Sequence, residues 1–125
     1  MARVSAAASS SLAATFFDMT NATRASIGVV GLRYDADLEA YAQRWAETML
    51  NAGKIYHSHI ADLLGPWSTV GENVGVGPSA AAINSALIAS PAHYENISYA
   101  GFTAMGVGVA TDASGRVYTA HIFAA

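Results

Sequence analysis

Three residues of types that bind metals or move protons stand in separate stretches of the chain: His57, Glu72 and His93. Imidazole nitrogen is a ligand for borderline metals such as zinc, and a carboxylate beside it orients the ring. His59 lies two residues from His57, so either ring could meet the carboxylate. Glu72 sits in Gly-Glu-Asn, among glycines and valines. A carboxylate there is costly to bury without partners. It therefore either accepts N–H bonds and ties loops together, or takes part in ligand or metal binding. Taken singly, His57 is a solvated loop histidine and His93 a helix-surface one. Ser58, Ser68 and Ser90 neighbour the histidines, but none sits in a Gly-x-Ser-x-Gly elbow. A Ser–His pair also needs an orienting acid and an oxyanion hole. Gly71, Gly75 and Gly77 lack a following Lys-Ser/Thr and match no common phosphate-binding motif, so they serve turns and close packing.

Composition narrows the classes. The chain has 125 residues, 53% hydrophobic and 12% charged, with a formal net charge of -3. That suits one globular domain with a real core. The Lys and Arg residues are scattered, and phosphate binding needs clustered positive charge, so no nucleic-acid partner is expected. The absence of cysteine excludes disulfides, thiolate metal sites and a cysteine nucleophile. No stretch reaches the roughly 18 apolar residues of a membrane span. Met1–Leu12 is Ala/Ser-rich and has no continuous apolar run, so no intact signal peptide is expected. Residues 1–11 are expected to be a flexible tail and residues 12–125 a single domain. With no heptad seam or long unbroken edge strand, a monomer is expected.

These residues need elements to position them. Ser9–Ser11 are placed to cap a first helix, with Leu12, Phe16, Met19 and Thr23 at helical spacing. Asp35 or Asp37 starts a second, whose stripe is Leu38, Ala42, Trp45, Ala46, Met49 and Leu50 and which ends at Gly53. Trp45 is expected in the core against the sheet, and Trp67 in the core as well. Residues 57–66 form a loop, and Thr69–Val76 a short strand or extended loop. Ser79 caps a helix to Ala89 with Ala82, Ile83, Ala86 and Leu87 inward, and Ser90–Pro91 starts a short helix through Ile97. Met105–Ala110 and Val117–Ile122 alternate about the turn Asp112–Gly115, which predicts an antiparallel hairpin with Val107 and Val109 facing a helical layer. Helices followed by strands give a layered α+β domain.

The chain also resembles the bacterial branch of the CAP superfamily, the cysteine-rich secretory, antigen 5 and pathogenesis-related 1 proteins, from about Phe16 to Phe123. The likeness is carried by Asn21 and Arg24 in an N-x-x-R pattern, by Gly53–Ser58 (GKIYHS) and Gly71–Val74 (GENV), and by Ser90–Ile97 (SPAHYENI), Gly106–Val109 (GVGV) and the final VYTAHIF. The resemblance implies a three-layer α-β-α sandwich with a cleft. It implies His57 and His93 as the cleft histidines, and as the metal ligands of those members that bind a divalent cation. Glu72 becomes one cleft glutamate and a support to the ligands, and Ser90 a cleft residue. Asn21, Arg24, Trp45, Asn73 and Asn96 take structural roles. Relatives often carry a Trp and a second Glu where this chain has Leu87 and Ser90, which leaves a reduced set. His121 stands where relatives more often have Gln.

Three functions follow as expectations. The first is a secreted, non-enzymatic binding module for a small apolar, lipid-like or peptide ligand or a cell-surface component. It requires no cofactor and binds Zn²⁺ or another divalent cation weakly. The second is a scaffold with a vestigial cleft, and the third a hydrolase.

Overall fold

A computed structural model describes residues 6–125; the start of the expected tail, residues 1–5, lies outside the described residues. The element order is α1 (Ala6–Ser26), β1 (Arg33–Tyr34), α2 (Ala36–Ala52), a 3-10 turn (Ile60–Leu63), β2 (Val70–Gly77), α3 (Ala80–Ala89), α4 (Pro91–Ser98), β3 (Ala104–Thr111) and β4 (Val117–Ala124). The strands form one mixed sheet in the order β1-β3-β4-β2. β1 pairs in parallel with β3, and the other neighbours are antiparallel. This is an α+β three-layer sandwich. Helix α2 covers one face, and α1, α3 and α4 cover the other.

Local chemistry explains most boundaries. Asp35 Oδ1 accepts the amides of Asp37 and Leu38 at 3.0 Å each and caps α2. Gly53, at φ 72°, ends α2 in the left-handed region that favours glycine. Ser79 Oγ accepts the Ala82 amide and opens α3. Pro91 is accommodated in the first turn of α4. In the β3–β4 turn, Asp112 Oδ1 accepts the amides of Ser114 and Arg116 and the Ser114 hydroxyl, giving the expected hairpin. Gly106 and Gly108 let α2 lie directly on the sheet. A Cβ at either would strike the α2 backbone, at Leu38–Glu39 and Ala42–Gln43 respectively. Val107 and Val109 point the other way, into the cluster under α1, α3 and α4.

Several expectations need correction. The first helix already includes Ala6, so Ser9–Ser11 do not cap it and residues 6–11 of the expected tail are helical; alanine needs little help to enter a helix. Its inward stripe is Ser9, Ala13, Phe16, Thr20 and Arg24, with Leu12 and Met19 only partly buried. In α3 the buried residues are Ala80, Ile83 and Leu87, while Ala82 and Ala86 face solvent. β1 was not expected at all.

Trp45 packs against the core as expected, but its enclosure is incomplete. It is half-buried at the rim of the α2 cluster, where its Nε1 donates to the Tyr56 carbonyl at 2.8 Å and its ring meets Tyr56 edge-on at 4.7 Å. It packs against the cluster between α2 and the sheet, as expected, and also pins the loop after α2. Trp45→Ala is therefore expected to cost about 2 kcal/mol, below the roughly 3–5 kcal/mol of a fully buried aromatic. It should also speed amide exchange through residues 54–58. Equilibrium denaturation and hydrogen exchange measure the two effects. Trp67 is likewise half-buried beside this cluster, with the Arg33 guanidinium 5.5 Å from its ring centre.

Candidate functional site

Alternation along β2 places neighbouring residues on opposite faces of the sheet. Glu72 pairs with Ile122 and faces the α2 side; Asn73 pairs with His121 and faces the α1–α3–α4 side. The two flanks of β2 thus receive different loops. On the first, Gly53 ends α2, and the chain returns through Tyr56 to lay His57 and Ser58 against Glu72.

Glu72 is buried and fully engaged. Its Oε1 accepts His57 Nδ1 at 2.7 Å and the Ser58 amide at 2.9 Å, and its Oε2 accepts the Ser58 hydroxyl at 2.5 Å. Tyr41 on α2 donates to Ser58 Oγ at 2.8 Å and completes a relay into the carboxylate. A buried carboxylate with these partners avoids the cost of an unpaired one. His57 is held by a side chain that solvent scarcely reaches, yet is itself open: side-chain exposures are 66% and 1%. With Nδ1 donating to Glu72, Nε2 keeps a free lone pair. His57, not His59, is therefore the ring paired with Glu72. His59 bonds Asp62 at 3.1 Å, and both are exposed.

On the second flank, His93 is half-buried on α4, and its Nδ1 shares a 2.8 Å hydrogen bond with Ser90 Oγ. Asn73 Nδ2 donates to the His93 carbonyl at 3.0 Å, and Asn96 Nδ2 donates to Asn73 Oδ1 at 2.9 Å and to the Glu72 carbonyl at 3.3 Å. These amides tie α4, and with it His93, to β2. His93 makes no hydrogen bond to Glu72 or His57. Among the described residues, no three His, Asp or Glu side chains cluster to hold a metal ion. Leu87 is buried in the core.

Asn21 and Arg24 lie away from the cleft. Asn21 exchanges two bonds with the Leu32 backbone, at 2.8 and 3.0 Å. Arg24 is fully buried and donates to the carbonyls of Val30, Ile97, Tyr99 and Phe102 at 2.9, 3.0, 2.9 and 3.3 Å. It closes the C-terminal end of α4, the helix that carries His93. His121 lies within the sheet, edge-on to Phe16 at 4.7 Å, and among the described residues neither ring nitrogen has a hydrogen-bond partner. Burial, and secondarily the charge of His93, push its pKa down to about 3.

The Cysteine-rich secretory protein family profile matches residues 17–123. The chain belongs to the CAP family. By fold this CAP domain is similar to several solved structures. It superposes on an outer surface protein of Borrelia burgdorferi with a TM-score of 0.86 at 14% identity, covering 98% of this chain and 96% of that one. An extracellular protein containing an SCP domain from Bacillus anthracis gives 0.78 at 24% identity, over 93% of this chain but 41% of that one. The structure of NaASP2 with Zn2+ gives 0.71 at 17% identity, over 92% and 80%. No curated protein matches the chain.

Ser58 and Tyr41 are the residues that inspection of the sequence missed as parts of the Glu72 network. Ser58 was visible only as a neighbour of His57. Nothing in the spacing of Tyr41 on α2 distinguishes it from an ordinary surface tyrosine.

Proposed function

We propose that this CAP domain is an extracellular, non-enzymatic binding module. Its cleft across β2 takes a small apolar ligand, lipid-like or peptide, and weakly holds a divalent cation. The observation that carries the proposal is the exposed His57 ring fixed through Nδ1 by the buried Glu72. Ile55 and Tyr56 beside it are large, exposed and apolar, which suits such a ligand. Ser58 donates to Glu72 and accepts from Tyr41, so its hydroxyl holds the carboxylate and is not poised to attack. The extracellular assignment leans on the family and on the outer-surface and extracellular relatives of the same fold.

The donor set fits zinc modestly. His57 and His93 each have Nδ1 occupied by an oxygen partner and Nε2 left over, the usual arrangement of ligating imidazoles. The ion would supply Lewis acidity or a bridge to the ligand. Two imidazoles are fewer protein ligands than a tight zinc site has, so binding is expected to be weak.

Calorimetric zinc titration at neutral pH tests this. His57→Ala and His93→Ala should each abolish the heat, and His59→Ala should leave it unchanged. Glu72→Gln should weaken binding by about tenfold or more, as loss of a supporting hydrogen bond does. The heat should fade on acidification, because a protonated imidazole offers no lone pair to the metal. No heat up to millimolar zinc, or a loss confined to His59→Ala, would refute the metal assignment.

A further inference from the structure

The two edges of the sheet are finished differently. Beyond the two residues of β1, the outer edge of β3 is closed by side chains. Gln43 pairs with Val109 like a strand, donating from Nε2 to its carbonyl and accepting its amide on Oε1, both at 2.8 Å. The Tyr34 hydroxyl reaches the Val107 carbonyl. The opposite edge is β2. Thr69 and Ala125 exchange both backbone bonds, at 3.0 and 3.1 Å, which fixes the phase of the β2–β4 ladder. In that phase Gly71, Asn73, Gly75 and Gly77 bond to β4, while Val70, Glu72, Val74 and Val76 turn their amides and carbonyls outward. Asn96 covers the Glu72 carbonyl. Among the described residues, no protein group bonds the backbone of Val74 or Val76.

We propose that the outer edge of β2 at Val74 and Val76 is a strand-addition site for an extended peptide. The proposal rests on the cleft being a binding site and narrows its ligand to a peptide. The chemistry selects that occupant. Donors and acceptors repeating every second residue along an extended backbone are matched by another extended backbone. A lipid chain offers no such donors, so it would leave the row unpaired. The strand carries no lysine or proline to repel a neighbour, the usual protection of a free edge. Glu72, at the near end of this edge, carries His57, and Asn73 beside it ties down His93. A docked strand therefore brings its side chains up to both imidazoles.

The test uses an end-capped hexapeptide of alternating valine and threonine, and the same peptide N-methylated at every second residue. N-methylation removes the donors along one edge and leaves the side chains. Amide NMR of the full chain should show Val74 and Val76 shifting and gaining protection from exchange with the first peptide. The second, methylated on the edge that faces β2, should bind at least tenfold more weakly. Val76→Pro removes one outward donor at an edge position where proline is tolerated. It should cost at least tenfold in peptide affinity and leave the zinc heat intact. Equal binding of both peptides, shifts confined to residues away from β2, or no binding up to millimolar peptide would overturn the proposal. Concentration-dependent protection of Val74 and Val76 in the free protein would overturn it too, by assigning the edge to a second copy of the chain. Zinc binding that fails while peptide binding at Val74 and Val76 persists would remove the metal assignment alone.

Discussion

Arg24→Met is expected to lower the unfolding free energy by about 3–5 kcal/mol, the range for removing one member of a buried charged network. The guanidinium satisfies four carbonyls drawn from the loop after α1, the end of α4 and the turn beyond it. Methionine fills much of the volume but takes a donor from each of the four carbonyls, with the heaviest loss at the buried Ile97 and Phe102; the part-buried Tyr99 carbonyl keeps the Phe102 amide. Arg24→Lys should recover only part of the loss. An ammonium is a compact point donor and does not reproduce the planar fork that reaches carbonyls on different segments. Because Ile97 and Tyr99 lie at the C-terminal end of α4, both variants should loosen that helix before the sheet. Amide exchange in residues 91–99 should rise ahead of global unfolding. Urea denaturation showing a loss below about 1 kcal/mol for Arg24→Met would mean that these carbonyls are served by other donors.

The second large effect concerns His121. Its folded-state pKa, pushed down to about 3, lies below the ordinary 6.5 of the unfolded chain. As pH falls, the unfolded state therefore takes up the proton first. The contribution to stability is complete above about pH 6.5 and is lost progressively as pH falls toward 3. Between pH 6.5 and 4 the linkage amounts to roughly 3 kcal/mol. The ring is enclosed by Phe16 of α1, Val107 of β3 and Asn73 of β2, with His93 of α4 as the nearby titrating group. His121→Leu removes two buried nitrogens that have no partner among the described residues and replaces them with carbon. It is expected to be neutral or stabilising by about 1 kcal/mol at pH 7. At pH 4 its advantage over the parent should widen by about 3 kcal/mol. Denaturation of both proteins across pH 4–7 checks this. Parallel stability curves would show that His121 is not the residue that titrates on unfolding.

Both effects involve polar residues in the interior, which is where the sequence was hardest to interpret. The caps at Asp35 and Ser79, the stop at Gly53, Pro91 opening α4 and the Asp112–Gly115 turn depend on contacts within a few residues, so local spacing reveals them. Helix α1 defeated the apolar-stripe argument because Ser9, Thr20 and Arg24 are buried on its inward face. β1 escaped notice because its two residues become a strand only through pairing with β3, some seventy positions away. In the site, the resemblance pointed to His57, Glu72 and His93. It did not reveal that the carboxylate's remaining bonds come from Ser58, nor that His93 is steadied by Ser90. His121 sits in a strand buried from end to end, with helices over both faces, where alternation no longer separates inside from outside.

The seating of α2 on Gly106 and Gly108 makes the site's tolerance to substitution depend on a part of the molecule remote in sequence. Any side chain at those two positions would act as a wedge, lifting the helix by about the thickness of a methyl group. Tyr41 rides on that helix, and the loop bearing His57 and Ser58 leaves from its end, while Glu72 is anchored in the sheet. A wedge would therefore open the joint between imidazole and carboxylate without touching either. Gly108→Ala, though it alters neither the cleft's chemistry nor its charge, should loosen the grip on His57 as surely as a change at Glu72 itself.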